Sequence, residues 1–225
     1  MGVIQPLAIP LRDIDPAALS AAAADLRGRA RALRGAGGGM RSAWHGLAGN
    51  YRAPESATLL SVMNQPAADL EEFASDLDQA AAALDRFAVA GGAAARDLHR
   101  VFAEASAFTA GRSCDWQPHG HLLARNNELI HTVDAAVVAF MAAERECANA
   151  IEALIGGRQL PAADKHHPHG YGPASIPDSP AVPWGRPIQA HHKKSCATSS
   201  VDWISDRSLQ AQLHPLDPAI HVLKG

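Results

Sequence analysis

The sequence predicts an all-α fold, an elongated helical hairpin or bundle. Hydrophobic residues make up 47% of the chain but aromatic residues only 5%, so alanine supplies much of the apolar content and favours closely packed helices over a bulky sheet core. Large apolar residues recur at every seventh position, and glycine or proline stands where each periodic run stops. These observations predict helices over about residues 15–47, 54–111 and 122–155, followed by a tail without regular structure.

The first predicted helix has a defined start and a two-sided pattern. Asp15 is a suitable N-cap, and Pro16 suits the first helical position. The glycines at positions 37–39 predict a soft spot or kink, because each costs about 1 kcal/mol relative to alanine. A seam of large residues beside a seam of smaller ones suits close packing against an antiparallel helix. The first seam is Leu19, Leu26, Leu33, Met40 and Leu47, and the positions four residues on are Ala23, Ala30, Gly37 and Trp44.

Proline and glycine also divide the rest of the helical region. Pro54 disfavours helix at the residue before it, so a second helix is predicted to begin there, with a kink or restart at Pro66. The glycines at 91–92 predict a further soft spot, and those at 156–157 the end of the last helix. Two polar residues, Asn126 and Glu144, fall on or near the last apolar stripe. The later stripes contain Met63, Leu70, Leu77 and Leu84, then Leu98, Val101, Phe102 and Phe108, then Ile130, Val133, Val137 and Phe140.

A change of composition divides the chain into two predicted regions. Residues 1–157 form the helical domain. Residues 158–225 are rich in Pro, Gly and His and show no hydrophobic period, which indicates a linker and a disordered tail. The residues after this linker are too few to form an independent domain without disulfide or metal cross-links.

Composition excludes several classes of function. The net charge of −3 gives no basic field for nucleic acid. No apolar run approaches membrane-spanning length, so stable membrane insertion is not expected. The N-terminus lacks the charged and apolar regions of a secretory signal peptide. We therefore expect a protein made in the cytoplasm and, if secreted, exported without a classical signal peptide.

Candidate chemistry is sparse. The helical region offers no arrangement of Ser, His and Asp or of Cys and His that its spacing supports, no phosphate-binding loop and no HExxH pair. Two His-rich sets in the tail contain zinc-ligand types, but their spacing matches no finger or ribbon. We expect no catalytic residues, no cofactor and no metal site, and so a protein that is not an enzyme. The two sets are His166, His167 and His169, and His191, His192 and Cys196.

A tryptophan stands where the first helical pattern stops, in the stretch WHGLAGNYRAPE. Trp44 is interpreted as a large core residue at the end of the heptad stripe, burying its indole over the bend against the start of the second helix. Gly46, two residues later, is interpreted as allowing a close approach of the backbone.

This stretch resembles the WXG superfamily of type VII (ESX) secretion substrates, most of all the longer actinobacterial forms that stand at the N-terminus of polymorphic toxins. The stretches NNELIHTVDAAVVAFMAAERECANAIEALIGG and PWGRP are similar to the helix and linker of that group, so the resemblance covers about residues 11–187. It implies a helical hairpin that is recognised and exported, often paired with a second helical chain. The turn and export motif would be Trp44, Gly46, Tyr51, Pro54 and Glu55.

Two features depart from the family pattern. Tyr51-x-x-x-Glu55 has the spacing of the export signal, but it lies in the turn and not after the second helix. The toxin module that should follow the linker is not recognisable, which indicates a truncated toxin or a stand-alone carrier.

The resulting prediction is a non-enzymatic targeting and interaction domain. Its partners would be the type VII secretion machinery and a second helical protein or another copy of the chain. That partner is expected to cover an apolar stripe left partly exposed, around residues 98–108 or 130–140. Two alternatives stay open, a small secreted toxin with effector activity in the His-rich tail and a helical scaffold or adaptor with no export role.

Overall fold

The computed structural model describes residues 3–110, 119–163, 170–171 and 183–188. This part of the chain is mostly helical and contains no strand, only an isolated bridge between Ala162 and Tyr171. The all-α prediction is therefore confirmed. The helices are α1 (Pro16–His45), α2 (Ser56–Ser61), α3 (Asn64–Thr109) and α4 (Gly120–Leu154), with 3₁₀ turns at Pro6–Ala8 and Gly46–Gly49.

The first and last helix boundaries follow the sequence signals. The Asp15 carboxylate accepts hydrogen bonds from the backbone N–H groups of Ala17 and Ala18, at 2.9 and 3.1 Å. Pro16 occupies the first position of α1, where its missing N–H leaves no partner unsatisfied. After α4, Gly156 adopts a left-handed backbone with φ of 66°, the conformation that commonly ends a helix at glycine.

The helices continue through both glycine runs, where the sequence predicts soft spots. α1 passes through positions 37–39 and α3 through positions 91–92 without a break. Gly37 is buried, and a Cβ atom built on it would lie 3.6 Å from Cδ1 of Leu70 on α3. Packing against a neighbouring helix offsets the low helix propensity of glycine.

The helical region is interrupted before Pro66 and not at Pro66 itself. The chain leaves helix at Val62 and Met63, and α3 begins at Asn64. Pro66 therefore falls in the first turn of α3, where a backbone N–H has no intrahelical acceptor and proline is tolerated.

The chain divides into two compact units, and each is assembled from separated segments. Unit 1 comprises Met1–Ile14, Ala93–Arg145 and Leu160–Gly225, and unit 2 comprises Asp15–Gly92 and Glu146–Gln159. Helices α3 and α4 thus each contribute residues to both units. This division differs from the predicted one, because composition changes near residue 157 whereas contacts group segments that are distant in sequence.

Unit 2 has a core of small side chains. The buried residues of α1 are Ala23, Ala30 and Gly37, while the large residues beside them are half-buried. Small side chains let the helix backbones approach closely, as the two-seam pattern indicates. Ion pairs join α1 to α3 along this contact. They link Arg27 to Asp85 at 2.5 Å, Arg34 to Asp78 at 2.6 Å and Arg34 to Glu71 at 2.7 Å.

Unit 1 has a core of large side chains, and it covers the two stripes predicted to stay exposed. Leu98, Val101, Ile130 and Val133 are at most 1% exposed, and Phe140 is 4% exposed. The prediction of a partly exposed stripe over residues 98–108 or 130–140 is therefore wrong, apart from a half-buried Phe102 and from Val138, which is 47% exposed. The residues packed in the same cluster from outside α3 and α4 include Ile4, Ile9, Tyr171 and Trp184.

Residues Tyr171 and Trp184 belong to the stretch predicted to be linker and tail. Both are buried, at 6% and 5% exposure, so these described pieces of the stretch differ from the prediction. Aromatic side chains bury a large area each, which can hold a segment that has no hydrophobic period. The rest of the predicted disorder, including residues 189–225, lies outside the described residues.

Candidate functional site

Trp44 lies in the last turn of α1 and is tied to α2. Its indole Nε1 donates a hydrogen bond of 2.8 Å to the backbone carbonyl oxygen of Leu59. The side chain is half-buried and not fully buried. The interpretation of Trp44 as a core residue is therefore wrong, although its indole does contact α2. The hydrogen bond satisfies the indole N–H and ties the end of α1 to α2.

Gly46 does not have the role that the sequence suggests. Its φ of −59° and ψ of −22° lie in the right-handed helical region, which any residue adopts. A Cβ atom built on Gly46 would meet no atom within 4 Å. The predicted close approach of the backbone is therefore wrong.

Tyr51 and Glu55 form a hydrogen-bonded pair in the turn. The Tyr51 hydroxyl donates to Oε1 of Glu55 at 2.8 Å, and both side chains are exposed. This bond raises the pKa of Tyr51 and lowers the pKa of Glu55, because it stabilises the phenol together with the carboxylate. The structure thus brings two of the residues named as an export motif together, and exposed Pro54 precedes α2 by two residues.

The turn segment, residues 46–63, also exposes apolar side chains. Leu47 is 40% exposed, Tyr51 is 37% exposed and Val62 is 51% exposed. The backbone N–H of Tyr51 bonds to the carbonyl of Leu47 at 2.9 Å, which fixes the course of the chain after the 3₁₀ turn. The turn segment therefore presents an ordered surface with both apolar and hydrogen-bonding groups.

A second group of polar residues lies on α4 in unit 1, and sequence reasoning missed its role. Asp134 is 7% exposed, and its Oδ1 accepts a 2.8 Å hydrogen bond from Nε1 of Trp184. Burial raises the pKa of Asp134, while the Trp184 hydrogen bond and the charge of His131 act to lower it. A buried carboxylate of this kind needs the donor that Trp184 supplies.

Two neighbouring asparagines on α4 bind backbone groups. Asn126 is fully buried, and its Oδ1 accepts from the N–H of Ile4 at 2.9 Å. Asn127 makes two bonds to Ile188, accepting from its N–H at 2.9 Å and donating Nδ2–H to its carbonyl at 2.9 Å. The appearance of Asn126 on an apolar stripe was the signal in the sequence, although the stripe does not reveal which segment it binds.

Glu144, the other polar residue near that stripe, binds a buried tyrosine. The Tyr171 hydroxyl donates to Oε2 of Glu144. Burial raises the pKa of Tyr171, and Glu144 raises it further through the hydrogen bond and its charge, so the phenol stays protonated at neutral pH. This hydrogen bond ties Tyr171 to α4.

The described residues contain no group of three or more His, Cys, Asp or Glu side chains placed to hold a metal ion. The His-rich sets named from the sequence lie outside the described residues. None of the helices in the described part of the chain combines the length and apolar character needed to cross a membrane. The polar side chains of α4 bind backbone groups, the Trp184 indole and the Tyr171 hydroxyl.

No family model matches the sequence, and neither does any curated protein or solved structure.

Proposed function

We propose that the chain is a non-enzymatic helical recognition domain of a type VII secreted protein, with the WXG-type turn between α1 and α2 as its recognition element. The observation that carries the proposal is the exposed hydrogen-bonded pair of Tyr51 and Glu55, close in sequence to a tryptophan that fixes the bend. A signal that a protein machine reads must lie on the surface and hold a defined shape, and this pair meets both conditions.

The turn gives the motif a rigid support. The Trp44 indole is bonded to Leu59, and the 3₁₀ turn Gly46–Gly49 is closed by backbone bonds from Asn50 and Tyr51 to Leu47. Few side chains would have to lose further freedom when a receptor binds, which lowers the entropic cost of recognition. The proposed route is synthesis in the cytoplasm followed by export without a classical signal peptide.

A partner chain, if one pairs with this domain, would use a surface other than the stripes of unit 1. In unit 2 the exposed large apolar residues include Leu47, Tyr51, Val62, Phe73 and Val89, and a partner that covers such side chains gains the free energy of removing them from water. A second helical protein or another copy of the chain is the proposed partner.

The test is secretion of the tagged full-length chain from an actinobacterial host, with and without its type VII export ATPase. We expect ATPase-dependent export that is lost in Tyr51→Ala and reduced in Glu55→Gln, because both changes break the exposed pair. Glu72→Gln is the matched control, since Glu72 is exposed and lies on α3, outside the turn. Each variant must keep the helical circular dichroism of the parent chain.

Export of both motif variants at the parent level would contradict the role of the Tyr51–Glu55 pair. Absence of ATPase-dependent export from the parent chain, with the protein stable in the cell, would favour the scaffold or adaptor alternative. Toxicity that is abolished by deleting residues 189–225 would instead favour an effector in the tail.

A further inference from the structure

The segment of residues 183–188, here called the docked segment, is held on α4 almost as a bound peptide would be. Three polar side chains of α4 take part in this arrangement, Asn126, Asn127 and Asp134. Two of these bind the docked segment and the third binds the N-terminal segment, residues 3–9. Peptides in extended form are commonly recognised by hydrogen bonds to the main chain and by pockets for individual side chains.

Trp184 is the anchor of the docked segment. It is 5% exposed and packs in the core cluster that contains Ile130 and Val133. Its Nε1–H is satisfied by Asp134 at 2.8 Å, so the indole is buried without leaving a polar group unpaired. A deeply buried aromatic side chain with a satisfied donor is the usual centre of binding energy in a recognition site.

Asn127 recognises the main chain at the other end of the docked segment. Its side-chain amide both accepts from and donates to the backbone of Ile188. This two-point contact is made to the main chain alone, so it specifies no particular side chain at position 188. The Ile188 side chain packs at the edge of the same core cluster.

The residue after the tryptophan, Gly185, lies at a position that favours glycine. Its φ is +126°, a conformation that residues with a Cβ atom rarely adopt. A Cβ atom there would also lie 3.2 Å from the carbonyl oxygen of Val3 and 3.3 Å from Cδ1 of Ile130. The site therefore requires a Trp-Gly pair.

The docked segment also binds the N-terminal segment directly. The backbone N–H of Gln5 donates to the carbonyl oxygen of Trp184 at 2.8 Å. The preceding N–H, that of Ile4, donates to Asn126 at 2.9 Å, and the Ile4 side chain is 1% exposed. Neighbouring amides of the N-terminal segment are thus held by α4 and by the docked segment respectively.

We propose that α4 carries a peptide-docking site whose ligand is the Trp-Gly segment 183–188 of the chain itself, and that this ligand holds the N-terminal segment in place. The site binds a peptide whose tryptophan donates to Asp134, whose next residue is glycine, and whose main chain bonds to Asn127. The N-terminal segment is secured only while the docked segment is bound, so the two segments bind and release together.

Hydrogen exchange on the full-length chain, resolved to single amides, tests this coupling. In Trp184→Ala we expect the amides of Ile4 and Gln5 to exchange faster by on the order of tenfold or more, since their covering segment is released. Amides of α4 around Asp134 and those of unit 2 should keep the rates of the parent chain. Trp44→Ala, the matched loss of a tryptophan in unit 2, should leave Ile4 and Gln5 unchanged.

Two further arms separate a ligand from an ordinary core residue. Gly185→Ala keeps the indole but blocks its backbone position, and it should release the same two amides. The synthetic peptide Pro-Trp-Gly-Arg-Pro-Ile, added to Trp184→Ala at millimolar concentration, should slow their exchange again, whereas the peptide with alanine in place of tryptophan should not. The concentration matches that which a short tether provides.

Unchanged exchange of Ile4 and Gln5 in both variants would overturn the proposal, because α4 alone would then hold the N-terminal segment. Loss of protection throughout unit 1 in both variants would overturn it as well, since Trp184 would be an integral part of the core. Failure of the tryptophan peptide to slow exchange would overturn the assignment of a peptide site.

Discussion

Unit 1 and unit 2 are both helical, but their cores are built from different residues. In unit 2, Ala23, Ala30 and Ala81 are fully buried, and the apolar area that each removes from water is small. In unit 1, Ile4 and Ile130 are at most 1% exposed, and each buries a large side chain worth about 1.5–3 kcal/mol. Helices with the same spacing of hydrophobic residues can therefore pack in two ways, through small side chains in unit 2 and through large side chains in unit 1.

The units also treat polar groups differently. Unit 1 buries Asn126 and Asp134, each paired with a group from a distant part of the chain. In unit 2 the ion pairs of Arg27 and Arg34 lie at the half-exposed edge of the helix contact. Buried polar pairs specify a single arrangement, because breaking one leaves an unsatisfied group away from water.

The largest expected effect separates the two cores directly. Ile130→Ala should lower the free energy of unfolding by about 2–5 kcal/mol, since it removes a fully buried side chain from a core of large residues. Leu26→Ala in unit 2 should cost clearly less, because Leu26 is half-buried. Urea denaturation followed by circular dichroism measures both changes.

The control for this comparison is Val138→Ala, on α4 but 47% exposed. Its effect should stay within about 0.5 kcal/mol, as for most surface substitutions. Equal losses for Ile130→Ala and Leu26→Ala would contradict the contrast between the two cores.

The same contrast explains how much of the structure the sequence could predict. Periodicity and capping predict α1 from Asp15 and the stop at Gly156, because those signals act within one helix. The half-buried Trp44 and the open space around Gly46 were not predictable, since burial depends on what other segments do. Trp184 lay in a stretch without period, and its partner Asp134 is distant in sequence, so no local pattern linked them.

A second, smaller effect concerns the small buried residues of α1, Ala23, Ala30 and Gly37, here called the alanine seam. Ala30→Leu should destabilise unit 2 by about 1–3 kcal/mol, because a larger side chain must force apart helices that approach closely over a fully buried methyl group. Ala24→Leu places the same side chain on the exposed face of α1 and serves as the matched control. If both variants unfold at the parent urea concentration, the seam is not closely packed.

A third effect tests the turn, where the structure departs from the WXG interpretation. Trp44→Phe removes the hydrogen bond to Leu59 but keeps an aromatic ring, and should cost about 1 kcal/mol. Gly46→Ala should be neutral or slightly stabilising, since its backbone is helical and its surroundings are open. Thermal unfolding compares the stability of the two variants. A Gly46→Ala variant that is less stable than Trp44→Phe would contradict the open space around Gly46 and support a close approach of the backbone there.

The smallest expected effect concerns the ion pairs of unit 2, which act on register more than on stability. An alanine seam offers few features to fix how far α1 slides along α3, so the charges of Arg34 and Asp78, 2.6 Å apart, help to select the pairing. Arg34→Glu should weaken the unit slightly at low salt and less at high salt, because exposed charges are screened. Adding Asp78→Arg should recover part of the lost stability but not all of it, because position 34 also lies beside Glu71, which is unchanged. Arg29→Glu, whose partner Asp25 lies on the same helix, should not be rescued by Asp78→Arg, since that change breaks the Arg34–Asp78 pair. Identical salt dependence of the single and double variants would show that packing alone sets the register.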